Sequence, residues 1–322
     1  MKTIKVSVVV LTYKKFDNLQ NNINSVLKQD YTNYEVIIHD DGSDNFDFYQ
    51  IEQMLPIECR DKFTIKTSTR NQGTVKNFNK AIGLATGDII VPLSQDDIFA
   101  NSHVLKDIVD TFLREDCAVC FGKRQGSISR VVLPAPRDFN LLESGKQLLY
   151  RRIYFGNFLS GAALYYKKST LNDLKLFDER YKLLEDYPAV IKIMKSNMKI
   201  SGLNEITVVY GERGVSEGSN VKSKVHKMLI QDDILNYKIN IKPNLNPKLL
   251  MDKYISFEEL FLEADESKLK KILIRIKHPY LACLKYRLKK NRVNSKSGEL
   301  GYSEDFYHLL EIEKRRNKHA SN

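Results

Sequence analysis

The sequence predicts an α/β chain, a mostly parallel sheet between helices with a helical C-terminal extension, and three observations carry that prediction. From the N-terminus to about residue 125, short Val- and Ile-rich runs alternate with stretches whose apolar residues recur at helical spacing. Beyond about residue 223 the pattern becomes helical, with Pro243 and Pro247 marking a break between helices. A length of 322 residues with 42% hydrophobic content suffices to bury one large core, or one core with an appendage.

Taken in order, Val6–Leu11 reads as the first strand. It is too short to span a membrane, and no small-residue cleavage site follows it, so it does not read as a secretory leader. A helix follows, with Asp17 as its N-cap and Leu19, Ile23, Val26 and Leu27 on one face. Val36–His39 and Phe63–Thr67 are the next strands, and a helix over about Thr74–Ala85 carries Val75, Phe78, Ile82 and Ala85 at helical spacing. Ile89–Leu93 and Ala118–Phe121 complete the strand candidates. The stretch 126–222 is less regular, with a loop at Pro134 and Pro136, an apolar segment at Ala162–Tyr166, and a helix opening at Glu185–Asp186 that includes Val190, Ile191 and Met194.

A net charge of +11 first suggests a nucleic-acid partner, but its distribution argues otherwise. Eleven of the 51 basic residues lie within 268–296, a stretch with no Asp or Glu, which leaves 40 basic against 40 acidic residues elsewhere. Within it Leu269, Ile272, Leu273 and Ile276, and after Pro279 Leu281, Leu284 and Leu288, recur at helical spacing. A basic amphipathic stretch of this kind suits an anionic membrane surface and is too short in its apolar runs to cross it. Cys59, Cys117, Cys120 and Cys283 are scattered, so a disulfide framework is not expected, and Cys117 and Cys120 read as strand core rather than half of a zinc site. The expected location is the cytoplasm, peripheral on the inner face of the plasma membrane.

Chemistry-bearing residues gather at the carboxyl ends of strand candidates, where open α/β sheets bind ligands. Leu11, Thr12 and Tyr13 end the first strand, His39, Asp40, Asp41, Gly42 and Ser43 the second, and Ser94, Gln95, Asp96 and Asp97 the fourth. Adjacent carboxylates at Asp96 and Asp97 repel, and a hard divalent cation shared with phosphate oxygens relieves that. The residues after the first strand, Tyr13, Lys14 and Lys15, include no glycine, which argues against a dinucleotide or P-loop site and against a sugar nucleotidylyltransferase. Asp186, near a helix start, suits a general base. On local grounds each of these acids also reads as a turn or helix cap, and His39 reads as structural.

Together these segments resemble the inverting family 2 glycosyltransferases of the GT-A fold. The likeness runs over about residues 4–220. It rests on Val6–Tyr13, on Ser25–Tyr31, on Tyr34–Ser43, on Asn71-Gln72-Gly73 with Asn79, and on Gly87-Asp88. The resemblance implies a catalytic domain over 1–222, with 1–125 binding the nucleotide sugar and 126–222 the acceptor, followed by a helical region over 223–322. It implies donor contacts from Leu11, Thr12, Tyr13, Asp41, Asn71, Asn79, Gln95, Asp96 and Arg213. Acceptor contacts would come from Asn157 and Gly161, the metal (Mn²⁺ or Mg²⁺) would sit on Asp96 and Asp97, and Asp186 with Glu185 would be catalytic. The family's usual Asp-x-Asp element is reduced here to Ser94-Gln95-Asp96, so an inactive or metal-independent member is the alternative. The implied reaction moves a sugar, from a UDP-sugar in the family's commonest case, to a hydroxyl of a saccharide acceptor that is plausibly lipid-linked, in cell-surface polysaccharide synthesis such as capsule or exopolysaccharide.

Overall fold

Val8, Val9 and Val10 are fully buried in β1 (Val6–Thr12), a run apolar on both faces, as a central parallel strand requires. Burying each such side chain contributes roughly 1.5 to 3 kcal/mol. The structure is a computed structural model that describes residues 3–142, 146–212, 224–244, 269, 272, 273, 276 and 305–315. After β1 come α1 (Leu19–Leu27), β2 (Tyr34–Asp40), α2 (Phe48–Gln53), β3 (Phe63–Thr67), α3 (Thr74–Leu84), β4 (Ile89–Pro92), β5 (Ile98–Phe99) and α4 (Val104–Glu115). Then follow β6 (Val119–Gly126), β7 (Val132–Leu133), α5 (Pro136–Phe139), α6 (Lys146–Phe155), β8 (Leu164–Lys167), α7 (Lys168–Asp173), α8 (Asp186–Lys195), β9 (Ile200–Tyr210) and α9 (Lys224–Asn236).

These strands form one mixed sheet in the order β3-β2-β1-β4-β8-β6-β9-β5, with β7 beside β6. β3, β2, β1 and β4 run parallel, and β8 is antiparallel to both of its neighbours. β9 lies parallel to β6, and β5 pairs antiparallel with its far edge. The mostly parallel half expected over 1–125 is therefore present. Ala162–Tyr166, expected as irregular, contributes β8, and the eleven-residue β9 was not expected at all. The first helix is capped at Asn18 rather than Asp17, and no side chain bonds its free amides. His39 is buried, with its Nδ1 bonded to Asn77 Oδ1 at 2.7 Å while Asn77 Nδ2 donates to the His39 carbonyl at 3.0 Å, which pins β2 to α3 as a structural role requires.

At the amino ends of β1, β2 and β4, Glu35 collects the Lys5 ammonium (2.7 Å), the Ser7 hydroxyl (2.6 Å), the Thr86 amide (2.6 Å) and hydroxyl (2.7 Å), and the Gly87 amide (3.2 Å). Against the opposing effect of burial, these donors hold its carboxyl down at about 2.

The chain forms two compact units, Met1–Pro134 with Leu159–Asp232, and Ala135–Phe158 with Asp233–Asn322. The first contains the whole sheet. In the second, Arg152 is 1% exposed and donates through Nε and Nη2 to Asp138, both at 2.9 Å, and through Nη1 to the Gly156 carbonyl at 2.7 Å. Phe155 packs on Phe306 of a helix over 305–315. Among the described residues no helix is long and apolar enough to cross a membrane.

Candidate active site

Parallel pairing in register brings the carboxyl ends of β1, β2 and β4 side by side. Direct bonds join them. The Asp41 amide donates to the Thr12 carbonyl (3.0 Å), the Tyr13 amide to Gln95 Oε1 (3.2 Å) and the Lys14 amide to Ser43 Oγ (2.7 Å). Leu11 takes part through its carbonyl, which accepts the Gln95 amide at 3.3 Å.

Neighbouring acids at the end of β2 serve different ends. Asp40 accepts the Ser43 amide and hydroxyl, the Thr12 hydroxyl and the Thr67 hydroxyl, at 2.7, 2.6, 3.1 and 2.9 Å, and so anchors the turn. The Thr12 hydroxyl is thereby turned inward, and Tyr13, the residue just past β1, is 39% exposed at this edge. Asp41 is buried, with Oδ1 accepting the Gln72 amide and Oδ2 the Gly73 amide, each at 2.9 Å. Burial raises its carboxyl, against the two amide bonds that favour the charged form. Asn71, next to this loop, is exposed. Asn79, expected on the donor side, is buried with its amide bracketing Phe177: Nδ2 donates to the Phe177 carbonyl (2.9 Å) and Oδ1 accepts the Phe177 amide (3.0 Å). It holds α3 to the 177–179 segment instead of facing a ligand.

Gly73 links this pocket to the acid pair further along the chain. Its φ of +94° and ψ of 158° lie in a region only glycine adopts readily, and a Cβ there would come within 2.7 Å of the Lys182 carbonyl. The Val75 amide donates to that same carbonyl at 3.2 Å. Four residues on, Asp186 begins α8; its Oδ2 accepts the Gly161 amide at 3.0 Å and its Oδ1 the Tyr187 amide at 2.6 Å. Glu185 is part-exposed as a residue, but its carboxyl end is enclosed, and burial first and the Asp186 charge second hold it well above the usual carboxylate range. Gly161, expected to touch the acceptor, thus lies against Glu185 and Asp186, whereas Asn157 belongs to the second unit. Arg213 and most of the basic segment 268–296 lie outside the described residues.

Asp96 and Asp97, expected together on a metal, diverge because the pairing of β5 with β9 turns Asp97 inward. Asp97 is 1% exposed, Oδ1 accepts the Gly211 amide at 2.8 Å just past the end of β9, and Oδ2 is enclosed without a hydrogen-bond partner. Burial pushes its carboxyl up to about 7. Asp97 thus ties the start of β5 to the end of β9 from a buried position, apart from the part-exposed Asp96. Asp96 is part-buried, raised by burial and lowered by nearby Lys15, and Ser94 is exposed. Among the described residues no three His, Cys, Asp or Glu side chains cluster to hold a metal by themselves. A single carboxylate at Asp96 does fit a hard cation that arrives with phosphate oxygens supplying the rest of its shell.

Sequence reasoning missed two groups that organise the site, Asp40 as the turn anchor and the Lys182 carbonyl as the seat of Gly73. Glycine between Asn71-Gln72 and a helix start was the available signal for the second, since that placement suits a backbone turn closed to other residues.

The family model described as glycosyl transferase family 2 matches residues 7–173. An uncharacterized glycosyltransferase of Nostoc sp. is 34% identical over 116 residues, 35% of this chain and 34% of its own length. The poly(ribitol-phosphate) beta-N-acetylglucosaminyltransferase TarS of Staphylococcus aureus is 29% identical over 229 residues, 68% of this chain and 37% of its own length. The chain thus spans about a third of the length of these curated relatives. Among solved structures, TarS 1–349 with UDP-GlcNAc superposes with a TM-score of 0.54 at 18% identity, covering 97% of this chain and 92% of that one. The mannosyltransferase PcManGT from Pyrobaculum calidifontis, in complex with GDP-Man and Mn²⁺, gives a TM-score of 0.61 at 16% identity, covering 95% and 84%. Such identities speak to the fold alone, and both neighbours are GT-A glycosyltransferases. The family match covers more than half of the sequence, and the chain belongs to glycosyl transferase family 2, a glycosyltransferase of the GT-A fold.

Proposed function

We propose that the protein transfers a sugar, with inversion, from a UDP-sugar to a hydroxyl of a lipid-linked saccharide during synthesis of a cell-surface polysaccharide. The observation that carries this reading is Gly73: its amide is held by Asp41 on the nucleotide side, and the space a side chain would need is closed by the carbonyl of Lys182, four residues before Asp186. Nucleotide recognition and proton removal thus share one rigid contact.

In the proposed reaction Asp41 and Tyr13 receive the base of the donor. Asp186 takes the proton of the acceptor hydroxyl as that oxygen bonds to the anomeric carbon, and the bond from that carbon to the diphosphate oxygen breaks. One carboxylate as general base is typically worth 10²- to 10⁴-fold in rate, as a rough guide. Glu185, held protonated beside it, keeps the second negative charge away from the base. Asp96 would hold a divalent cation, which when bound stabilises negative charge on the departing diphosphate. The UDP-GlcNAc complex of TarS and the GDP-Man and Mn²⁺ complex of PcManGT support a nucleotide-sugar donor and a cation. TarS, named for a poly(ribitol-phosphate) acceptor, supports a surface polymer as the acceptor class.

Membrane attachment belongs to the same reading. Leu269, Ile272, Leu273 and Ile276 are helical and 52 to 73% exposed, an uncovered apolar stripe inside the basic segment. The catalytic test is turnover of the purified full chain against a panel of UDP- and GDP-sugars with lipid-linked saccharide acceptors. Transfer from one UDP-sugar that Asp186→Asn reduces at least about 100-fold is expected. Transfer left unchanged by Asp186→Asn, or no nucleotide binding at all, would overturn the reading.

A further inference from the structure

Asp232, in α9, is 4% exposed, and its carboxylate faces three successive backbone amides. Lys182 donates to both oxygens (3.1 and 2.9 Å), Leu183 to Oδ2 at 2.7 Å and Leu184 to Oδ2 at 3.1 Å. Consecutive amides that converge this way form an anion-binding nest, and here the anion is part of the chain itself. The next two residues are Glu185 and Asp186.

On its other side the same segment is fixed by the Lys182 carbonyl, which accepts the Val75 amide at 3.2 Å and supports Gly73. Lys182 is therefore gripped at both its carbonyl and its amide, once from the first turn of α3 and once from α9. A carboxylate on several amide donors is a strong anchor, because charge-assisted hydrogen bonds are shorter and stronger than neutral ones. No sequence motif marks Asp232; the Gln231-Asp232-Asp233 stretch reads as ordinary helix surface.

Resting on the functional reading above, we infer that Asp232 is a positioning residue for catalysis, which fixes the Lys182–Leu184 backbone so that Asp186 meets the acceptor hydroxyl at the right distance. Asp232 touches no reacting atom. Its removal should act on the chemical step and spare nucleotide affinity, because Asp41 and Gly73 keep their own bonds.

The test is Asp232→Asn in the full chain, which keeps one acceptor oxygen and loses the charge. Amide hydrogen exchange over 182–184 is expected to quicken about tenfold or more while the rest of the sheet keeps its protection. Binding of UDP should stay within about threefold, and kcat with the active nucleotide sugar should fall about 10- to 100-fold with little change in donor KM, since small misplacements of a base cost that much. Unchanged exchange at 182–184, or kcat within about twofold of wild type, would overturn the inference. Should wild type turn over no nucleotide sugar, the functional reading fails, and exchange alone decides the anchor in either direction. If Asp232→Asn does not fold, the same measurements on Asp232→Glu, which keeps both oxygens on a longer stem, decide it.

Discussion

Gly73 faces the carbonyl of Lys182, 109 residues further along the sequence, so closely that an added Cβ would come within 2.7 Å of it, while its amide donates to Asp41. Replacing Gly73 by Ala forces a side chain into a glycine-only conformation and against a backbone carbonyl. We expect a loss of about 1 to 3 kcal/mol in stability, read as a lower melting temperature, together with weaker UDP binding and slower turnover. A Gly73→Ala protein that lost only one of these two activities would show that the halves of the site are not joined through this contact.

Glu185 governs a pH dependence with a definite sign. Its folded-state carboxyl is raised, by burial first and Asp186 second, so its favourable contribution is fully present below the usual carboxylate value of 4.5 and is lost as pH rises towards the folded value. Wild type should therefore lose stability between about pH 5 and 8. Glu185→Gln, permanently neutral, should flatten that slope and be the more stable protein at pH 8. Thermal melts of both proteins across this range check it, and parallel slopes would contradict it.

Much of this arrangement is legible in the sequence, and the reasons for the remainder are physical. β1, β2 and β4 announce themselves because strands buried on both faces need unbroken Val and Ile, and Asp41 sits at the end of one of them. Asp186 is legible because it opens a clear helix. β9 hides because Gly202, Asn204 and Glu205 interrupt its apolar pattern where its register against β6 shifts. The roles of Asp96 and Asp97 could not be separated by local pattern, since the pairing of β5 with β9 decides which one faces inward. Asn79 looks like a ligand contact until Phe177 arrives from 98 residues away. Asp232 needs a partner 50 residues back in the sequence.

Cation binding should depend on the donor. With Asp96 as the single carboxylate offered, Mn²⁺ alone should bind weakly, and UDP should tighten it. Asp96→Ala should abolish the coupling, while Ser94→Asp, which supplies a second carboxylate, should strengthen Mn²⁺ binding about tenfold. Calorimetric titration of Mn²⁺ with and without UDP reads all three. Equal Mn²⁺ affinity in Asp96→Ala would place the cation elsewhere.

Attachment to anionic bilayers should follow the exposed stripe. Each Lys or Arg near such a surface is worth roughly 1 kcal/mol, so binding should weaken with salt. Exchanging Leu269, Ile272, Leu273 and Ile276 for Ser should release the protein from vesicles containing phosphatidylglycerol in a flotation assay. Flotation that the fourfold variant retains would assign attachment to another part of the chain.

Glu35 and Asp41 occupy opposite ends of the same strand, separated by six residues or roughly 20 Å of extended chain. Over that distance two unit charges interact by less than about 1 kcal/mol at an effective dielectric constant of about 20, and the Lys5 ammonium offsets the Glu35 charge, so the two ends are only weakly coupled. Protonating the Glu35 cluster in acid can loosen the sheet with little effect on the carboxyl of Asp41 at the other end. A pH–rate curve recorded above the acid-unfolding range then reports on the reacting end of the sheet, uncontaminated by the charge that fastens its foot.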